Sequence, residues 1–399
     1  MQTMNLFERL TETHPDLEIW WDSSPLVYDK FCRKMIDAAP PEMREVRRQQ
    51  FQRLYNEAAP EKSRFRGVTT NPPLSLQAIE ADPPRWEQFV DQLIRQSPGI
   101  DAESLFWKTY REMVRMGAEK YRKVFDASGG KYGYISGQVD PRACFDPDKM
   151  LEMALDLASL APNVMIKIPG TREGYQVIEE LTARGIGTNN TLSFIVPQIL
   201  AAAEAARKGL ARARANGVSL ERWRAVITHM STRFSLMGDL EKEARERGIN
   251  LTEAEIRWAE LALFKKMVAL MEEKGYPSKM LICSMKTGPD TEQGKQLWHL
   301  QKLAGAAVVF TCPPGLIEEV LTRGYDDLPL SPDGIREEVP RPVLDKLLKL
   351  PYFRSGYEED GLSPDGFNEH VALKKTAQQH IQVTEKMVEF VRRRLGRAS

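Results

Sequence analysis

Cysteine is scarce in this chain of 399 residues, and the cysteines present do not form a paired motif. The four lie far apart, at Cys32, Cys144, Cys283 and Cys312. Disulfide frameworks and cysteine-based zinc sites show characteristic spacings, so we expect these residues to be small buried thiols in a reducing compartment. This pattern predicts a cytoplasmic protein.

Long apolar segments and metal-binding motifs are also missing. No apolar run approaches the ~18–20 residues that a membrane-spanning helix needs. The stretch Met1–Asp16 has no apolar core of the kind found in signal peptides. The five histidines show no metal-ligand spacing, and no HExxH motif occurs. The sequence therefore predicts neither a membrane partner nor a bound metal.

The chain has no excess of charge of either sign, because 56 Lys and Arg residues balance 56 Asp and Glu residues. A neutral balance argues against a surface for nucleic acid or anionic membrane. No GxGxxG motif follows the first strand-like run, so a dinucleotide cofactor is not indicated either.

What the sequence does contain is a regular alternation of short strand-like runs and amphipathic helical stretches. The strand-like runs are Leu17–Asp22, Gly67–Asn71, Tyr132–Asp140, Asn163–Ile168, Ile186–Ser193, Val226–Phe234, Lys279–Met285 and Ala306–Cys312. The helical stretches include Pro147–Leu160, Arg172–Arg184, Phe194–Asn216, Thr252–Gly275 and Thr291–Ala304. Eight alternating units predict a parallel (β/α)8 TIM barrel, which right-handed crossovers close naturally. An open doubly wound sheet is the alternative.

The remaining length predicts additions to a barrel domain that spans residues 1–324. Helical insertions are expected at 28–58, after the first strand, and at 84–127, after the second. Residues 325–399 are expected to form a C-terminal extension that packs on the barrel. It begins with the loop-like segments Leu328–Pro342 and Pro351–Gly366 and ends in an amphipathic helix, Phe367–Arg394.

One strand-like run, Asn163–Ile168, carries a single lysine. Side chains alternate along a strand, so Lys167 shares a face with Met165 while Val164, Ile166 and Ile168 share the other. Burial disfavours a lysine ammonium, and a neutral amine can form a Schiff base with a carbonyl. The alternative is a lysine that reaches solvent or pairs with a carboxylate.

Polar side chains stand at the C-terminal ends of the other predicted strands, where barrels of this kind place their chemistry. They are Asp22, Asn71, Gln138, Asp140, Asn189, Asn190, Thr191, Ser231, Thr232, Arg233, Ser284 and Lys286. Any one of them alone could cap a strand-to-loop junction, as Asn71 before Pro72 could form a turn. The whole set predicts an active site.

Five stretches resemble the transaldolase family of class I aldolases. They are Ile19–Asp22, Gly67–Pro72, Val139–Arg142, Asn163–Pro169 and Asn189–Leu192. The resemblance implies that Lys167 forms the Schiff base and that Asp22 is the acid/base on the C4 hydroxyl of a ketose. It also implies that Asn71 and Asn189 bind this donor and that Thr191 holds a proton-relay water. No metal or organic cofactor is implied, since the lysine itself is the electron sink.

The sequence departs from the family pattern at two places. Gln138 stands where the family usually has a glutamate, and an amide can position a water but cannot transfer its proton. The phosphate-binding arginine of the sixth strand is replaced by Leu236 or Met237. We expect Ser231, Arg233, Ser284 and Lys286 to bind the substrate instead.

These features together predict an enzyme that transfers a three-carbon dihydroxyacetone unit from a ketose, such as a sugar phosphate, to an aldehyde acceptor. One alternative is fructose-6-phosphate-aldolase-like cleavage and aldol addition, since those aldolases also carry glutamine at the position of Gln138. The other is a sugar-binding barrel without catalysis. The expected partners are small sugars or sugar phosphates, and an oligomer is compatible with the sequence.

Overall fold

A computed structural model describes residues 4–398, so the first three residues of Met1–Asp16 and the last residue of the chain lie outside the description. The strands are β1 Glu18–Asp22, β2 Phe65–Thr69, β3 Tyr134–Gln138, β4 Val164–Pro169, β5 Thr188–Ser193, β6 Ala225–Met230, β7 Lys279–Cys283, β8 Asp290–Thr291, β9 Gly294–Lys295 and β10 Val309–Cys312. Eight of them close into a barrel in the order β1-β10-β7-β6-β5-β4-β3-β2, and β8 and β9 form a separate antiparallel pair. This confirms the predicted (β/α)8 fold, and closure excludes an open sheet because no barrel strand is left at an edge.

Helices follow most barrel strands and supply the additions. They are α1 Leu6–Thr11, α2 Tyr28–Asp37, α3 Arg44–Leu54, α4 Pro72–Ala81, α5 Pro83–Gln96, α6 Ala102–Ala127, α7 Pro147–Ala158, α8 Arg172–Ala183, α9 Val196–Ala215, α10 Ser231–Met237, α11 Leu240–Glu246, α12 Glu253–Glu273, α13 Trp298–Gln301, α14 Pro314–Thr322, α15 Arg341–Leu347, α16 Pro351–Tyr357, α17 Pro364–Phe367 and α18 Val371–Ala398. Among these, α2 and α3 follow β1, α4 to α6 separate β2 from β3, and α18 is the C-terminal helix.

The chain divides into two compact units. The first unit comprises residues 4–20 and Ile168–Thr376, and the second comprises Trp21–Lys167 and residues 377–398. In the second unit, α2 and α3 pack through aromatic side chains. Tyr28 makes edge-on contacts with Trp21, at 5.1 Å between ring centroids, and with Phe51, at 6.4 Å. Edge-to-face geometry is favourable for such rings beyond the area that they bury.

The alternation of side chains decides which residues of β3 and β4 point into the barrel. A Cβ at Gly137 would lie 3.3 Å from side-chain atoms of Val114 and Val164, so this position faces the surrounding helices. The next residue, Gln138, therefore projects to the opposite side, into the barrel. Gln138 is also the direct register partner of Lys167, and register partners on adjacent parallel strands point to the same side. The strand pairing thus places these two side chains next to each other.

Four local predictions were wrong. The strand predicted at Val226–Phe234 ends at Met230, and α10 starts at Ser231. The helix predicted at Thr291–Ala304 is replaced by the β8–β9 pair and the four residues of α13. The loop predicted at Pro351–Gly366 contains α16 and the start of α17. Cys32 is half-buried, whereas the other three cysteines are buried as expected, and all four are free thiols.

The longer helices in the described part of the chain carry too many charged residues, or too little apolar length, to cross a membrane.

Candidate active site

Lys167 lies near the end of β4 in the second unit and is 5% exposed. Its Nζ donates a hydrogen bond to the carbonyl oxygen of Thr70, at 3.3 Å. A backbone carbonyl is a neutral partner, so this contact can be made by an ammonium or by a neutral amine. The arrangement holds the amine at the C-terminal end of the strand, the position at which β/α barrels place their reacting groups.

Asp22 ends β1 in the same unit and is half-buried. The hydroxyl of Thr69, the last residue of β2, donates to its Oδ1 at 2.7 Å. A hydroxyl that donates to a carboxylate stabilises the ionised form and fixes its rotation. Thr69 is thus a site residue that motif reasoning passed over, although it lies within the matching stretch Gly67–Pro72.

Gln138 is 2% exposed, and its backbone is clamped by a buried tyrosine. The hydroxyl of Tyr110 donates to the Gln138 carbonyl oxygen and accepts from the Gln138 amide nitrogen, both at 2.9 Å. Burial raises the pKa of Tyr110, so its hydroxyl stays protonated. The side-chain Oε1 of Gln138 is buried and has no hydrogen-bond partner among residues 4–398.

Two other predicted residues of the second unit have structural roles that the structure makes explicit. Asn71 is the N-cap of α4, and its side chain accepts from the Leu74 amide at 2.9 Å. Asp140 caps the short 3-10 turn Pro141–Ala143 and pairs with Arg142, at 2.6 Å between Oδ2 and Nη2. Caps and charge-assisted pairs of this kind stabilise strand-to-helix connections. The Val-Asp-Pro-Arg motif is therefore part of the scaffold of β3.

In the first unit, the predicted residues of β5 are fully buried. Asn189 accepts from the hydroxyl of Thr228 on β6, at 2.7 Å, which fixes the rotation of its carboxamide. The Oγ1 of Thr191 is buried and lacks a hydrogen-bond partner within the described part of the chain. A buried polar atom left in this state costs free energy unless a ligand or a water satisfies it. It therefore marks a position where binding is favourable.

The backbone has an unusual conformation near the C-terminal ends of β5 and β7. Among the described residues, the non-glycine residues with positive φ are Leu192, at 54°, and Ser284, at 58°. Leu192 follows Thr191, and Ser284 follows β7 directly. The backbone of a non-glycine residue adopts this left-handed conformation at a cost of roughly 1 kcal/mol. Residues with such strained backbones are concentrated at functional sites.

Ser231 lies at the start of α10 and is attached to a buried polar network. Its hydroxyl lies 3.1 Å from Nε2 of His299, which also contacts Glu260 at 3.1 Å. Arg257 pairs with Glu260 at 2.7 Å. Burial and the neighbouring Arg257 lower the pKa of His299 despite Glu260, so the imidazole is neutral at neutral pH. In the sequence, His299 was considered only as one of five histidines without metal-ligand spacing, because its contacts with Ser231 and Glu260 join segments that are far apart in the chain.

The two cations expected to replace the lost arginine are placed differently from the prediction. Alternation along a strand predicts that Lys286, two residues after Ser284, points to the same side as Ser284. This prediction was wrong, because Lys286 is exposed and lies three residues beyond the end of β7. Its backbone nitrogen lies 3.3 Å from Nδ1 of His299. Arg233 is half-buried within α10, and Leu236, one of the two candidate arginine positions, is 52% exposed.

The residues described form no group of three or more His, Cys, Asp or Glu side chains that could hold a metal ion. Within the second unit, the predicted site residues at the strand ends are an amine, a carboxylate and an amide, contributed by Lys167, Asp22 and Gln138. These are the groups needed for acid–base and nucleophilic chemistry on a polyhydroxylated carbonyl compound.

Comparison with known proteins identifies the family. A family model described as transaldolase/fructose-6-phosphate aldolase matches residues 36–362. The chain belongs to this family. It is 29% identical over 271 residues to transaldolase 1 of Streptomyces avermitilis, which covers 65% of this chain and 70% of that protein. It is 30% identical over 258 residues to the transaldolase of Saccharopolyspora erythraea, covering 62% and 69%.

Another relative, the transaldolase of Thiobacillus denitrificans, is 33% identical over 178 residues, which span about half of that protein (48%). The resemblance seen in the sequence is therefore confirmed for the family. The matched range includes β2 to β10 and Lys167, whereas Asp22 precedes it and α18 follows it.

Proposed function

We propose that this protein is a transaldolase-type enzyme that transfers a three-carbon dihydroxyacetone unit from a ketose to an aldehyde through a Schiff base on Lys167. The observation that carries the proposal is the buried amine at the end of β4, next to Gln138 and held by a backbone carbonyl. Membership of a family of aldolases and transaldolases supports the same chemistry.

The proposed reaction begins when the neutral amine of Lys167 adds to the C2 carbonyl of the ketose. Loss of water then gives a protonated imine. Asp22 takes the proton of the C4 hydroxyl, the C3–C4 bond breaks, and its electron pair moves into the imine. An aldehyde leaves, and an enamine remains on the lysine. Addition of the enamine carbon to a second aldehyde, with return of the proton by Asp22, makes the new ketose, and hydrolysis of its imine frees Lys167.

The remaining site residues are assigned supporting roles. Gln138 and Thr191 are each assigned to proton relay through water during dehydration and hydrolysis of the carbinolamine, since each has a buried oxygen without a hydrogen-bond partner in the described chain. Asn71 and Asn189 bind donor hydroxyls. The Oδ1 of each asparagine accepts one hydrogen bond within the protein, which holds the carboxamide in a fixed rotation.

A second candidate is simple aldol cleavage of the fructose-6-phosphate-aldolase type, in which the enamine is protonated and hydrolysed. Gln138 favours it, since an amide replaces the carboxylate usual in transaldolases. A third candidate, sugar binding without catalysis, predicts no covalent adduct. We further propose that the protein acts in the cytoplasm on sugar phosphates.

Borohydride trapping tests the proposal directly. The wild-type protein is incubated with fructose 6-phosphate, reduced with borohydride and mapped by mass spectrometry. A three-carbon adduct on Lys167, together with formation of a new ketose when an aldehyde is added, is the expected result. An adduct without transfer would favour simple aldol cleavage. The absence of any adduct would favour the third candidate, sugar binding without catalysis. The carbon skeleton trapped after soaking crystals with sugar phosphates would identify the donor.

The phosphate group gives a separate prediction. Lys286→Ala should raise KM for a phosphorylated acceptor by at least about tenfold, because a charge-assisted contact is lost, and should barely change KM for glyceraldehyde. Arg233→Ala should do the same if the guanidinium contributes to the same contact. Steady-state kinetics with glyceraldehyde 3-phosphate and glyceraldehyde provide the comparison.

Lys295→Ala is the matched control for this experiment. Lys295 is also exposed and near β7 in sequence, but its ammonium is paired with Glu319 at 2.9 Å, so the KM values should stay close to wild type. If neither Lys286 nor Arg233 matters and the wild type does not prefer phosphorylated acceptors, the substrate is a sugar without phosphate.

A further inference from the structure

The carboxamide of Gln138 has one contact that ties it to a distant part of the chain. Its Nε2 lies 3.5 Å from Nδ1 of His380, and both residues are 2% exposed. This is a long hydrogen bond, of the kind that shortens in catalytic sites once substrate is bound. The other end of the carboxamide, Oε1, has no hydrogen-bond partner in the described chain.

Nδ1 of an imidazole accepts a hydrogen bond only when it carries no proton, whereas the amide nitrogen of glutamine can only donate. With Nε2 directed to His380, Oε1 is left as the acceptor that points away from the helix. Since Gln138 is the register partner of Lys167 on the inner side of the barrel, this acceptor is presented beside the reacting amine. In the reverse orientation the NH2 group would face the amine, and this group cannot accept a hydrogen bond from a water or from the carbinolamine hydroxyl.

The helix that carries His380 is fastened at two points that follow this residue, and both ties lie within the second unit. Five residues along α18, Glu385 pairs with Arg142 at 3.3 Å, and Arg142 in turn pairs with Asp140 at the end of β3. Near the end of the helix, Arg394 pairs with Glu87 at 3.1 Å and with Asp91. His380 is thus held in place against β3.

We infer that His380 is a positioning residue, which orients the carboxamide of Gln138 so that Oε1 accepts from the group that exchanges protons at Lys167. This inference rests on the proposed Schiff-base function. It gives the C-terminal helix, which lies outside the range matched by the family model, a part in the chemistry.

The test measures how fast the imine forms, by mixing protein with dihydroxyacetone and quenching with borohydride after set times. His380→Leu, which removes the acceptor, should slow adduct formation by about three- to tenfold, the range expected for one hydrogen bond. His380→Asn places an amide oxygen near the position of Nδ1 and should recover most of the rate. KM for dihydroxyacetone and the final adduct yield should change little in either variant.

A double-mutant cycle separates this role from a purely structural one. In the Gln138→Leu background, His380→Leu should have no further effect on the rate, because the group that it orients is gone. Thr384→Val is the matched control, since Thr384 is buried on the same face of α18, one turn after His380, and its hydroxyl donates to the His380 carbonyl oxygen at 3.0 Å. Its rate should equal that of wild type.

Equal rates for His380→Leu, His380→Asn and wild type would overturn the inference while leaving the Schiff base intact. Equal losses in the Leu and Asn variants, or additive losses in the cycle, would also overturn it by showing a packing effect. If the wild type itself forms no adduct on Lys167, the proposed function fails and the inference fails with it. His380→Ala replaces the Leu variant if thermal unfolding shows that the latter does not fold.

Discussion

Lys167→Met abolishes the borohydride-trapped adduct and lowers the rate of transfer by roughly 10⁴-fold or more, which is the expected scale when the residue forming the covalent intermediate is removed. The fold should survive, because methionine fills the volume of the lysine stem and the site is buried. One hydrogen bond to the Thr70 carbonyl is lost, so the melting temperature should change by only a few degrees. Mass spectrometry, a coupled transfer assay and thermal unfolding measure the three effects.

Lys265→Met is the control for this result. Burial lowers the pKa of Lys265 to about 8, so roughly a tenth of its amine is neutral at pH 7, a larger fraction than for an ordinary lysine, which favours nonspecific imine formation there. Its Nζ donates to the carbonyl oxygens of Gly334 and Ile335, at 2.7 and 2.9 Å, which is a structural role. The variant should keep both the adduct and the activity. An adduct mapped to Lys265, or retained in Lys167→Met, would contradict the assignment.

Asp22→Asn should lower the rate of carbon–carbon bond cleavage by ~10²–10⁴-fold, the usual contribution of a general acid or base. Asparagine keeps the size of the side chain and an oxygen that accepts from Thr69, but it cannot take the proton of the C4 hydroxyl. Imine formation does not require that proton transfer. We therefore expect the variant to trap dihydroxyacetone normally, and to accumulate the six-carbon adduct of fructose 6-phosphate in place of the three-carbon one.

Asp140→Asn serves as the matched carboxylate control. Asp140 is buried two residues after the end of β3, and its carboxylate is paired with the guanidinium of Arg142. Loss of this charge should cost about 1–3 kcal/mol of folding free energy, as for other charged hydrogen bonds, and leave the cleavage step near the wild-type rate. A three-carbon adduct that still dominates in Asp22→Asn would show that another group takes the C4 proton.

Regular, repetitive structure was predicted well because local patterns determine it. The alternation of apolar residues located the barrel strands to within a few residues, and amphipathic periodicity located α7, α8, α9, α12 and α18. Errors fell where the local signal is ambiguous. Ser231 to Phe234 continue a strand-like run, yet the chain turns into α10 there, since β-compatible residues next to a strand can equally start a helix.

The lysine strand illustrates what the sequence by itself determined. A period of two residues places Lys167 and Met165 on one face of β4, and no tertiary contact is needed to deduce this. The sequence also determined the fold class and the family, because eight alternating units and five motifs lie in order along the chain. The same reasoning could not place Lys286, because its position depends on where β7 ends and on how the following segment turns.

Only the tertiary structure decided which groups meet. Gln138 and His380 are 242 residues apart, and Ser231 and His299 are 68 residues apart, yet each pair is in contact. A hint for His380 did exist, since it lies three residues after Ala377 and four before Thr384 on the buried face of α18. That spacing shows that a side chain is buried but not what it touches. Helical periodicity is a property of neighbouring residues, whereas contacts between distant segments are set by packing and strand register.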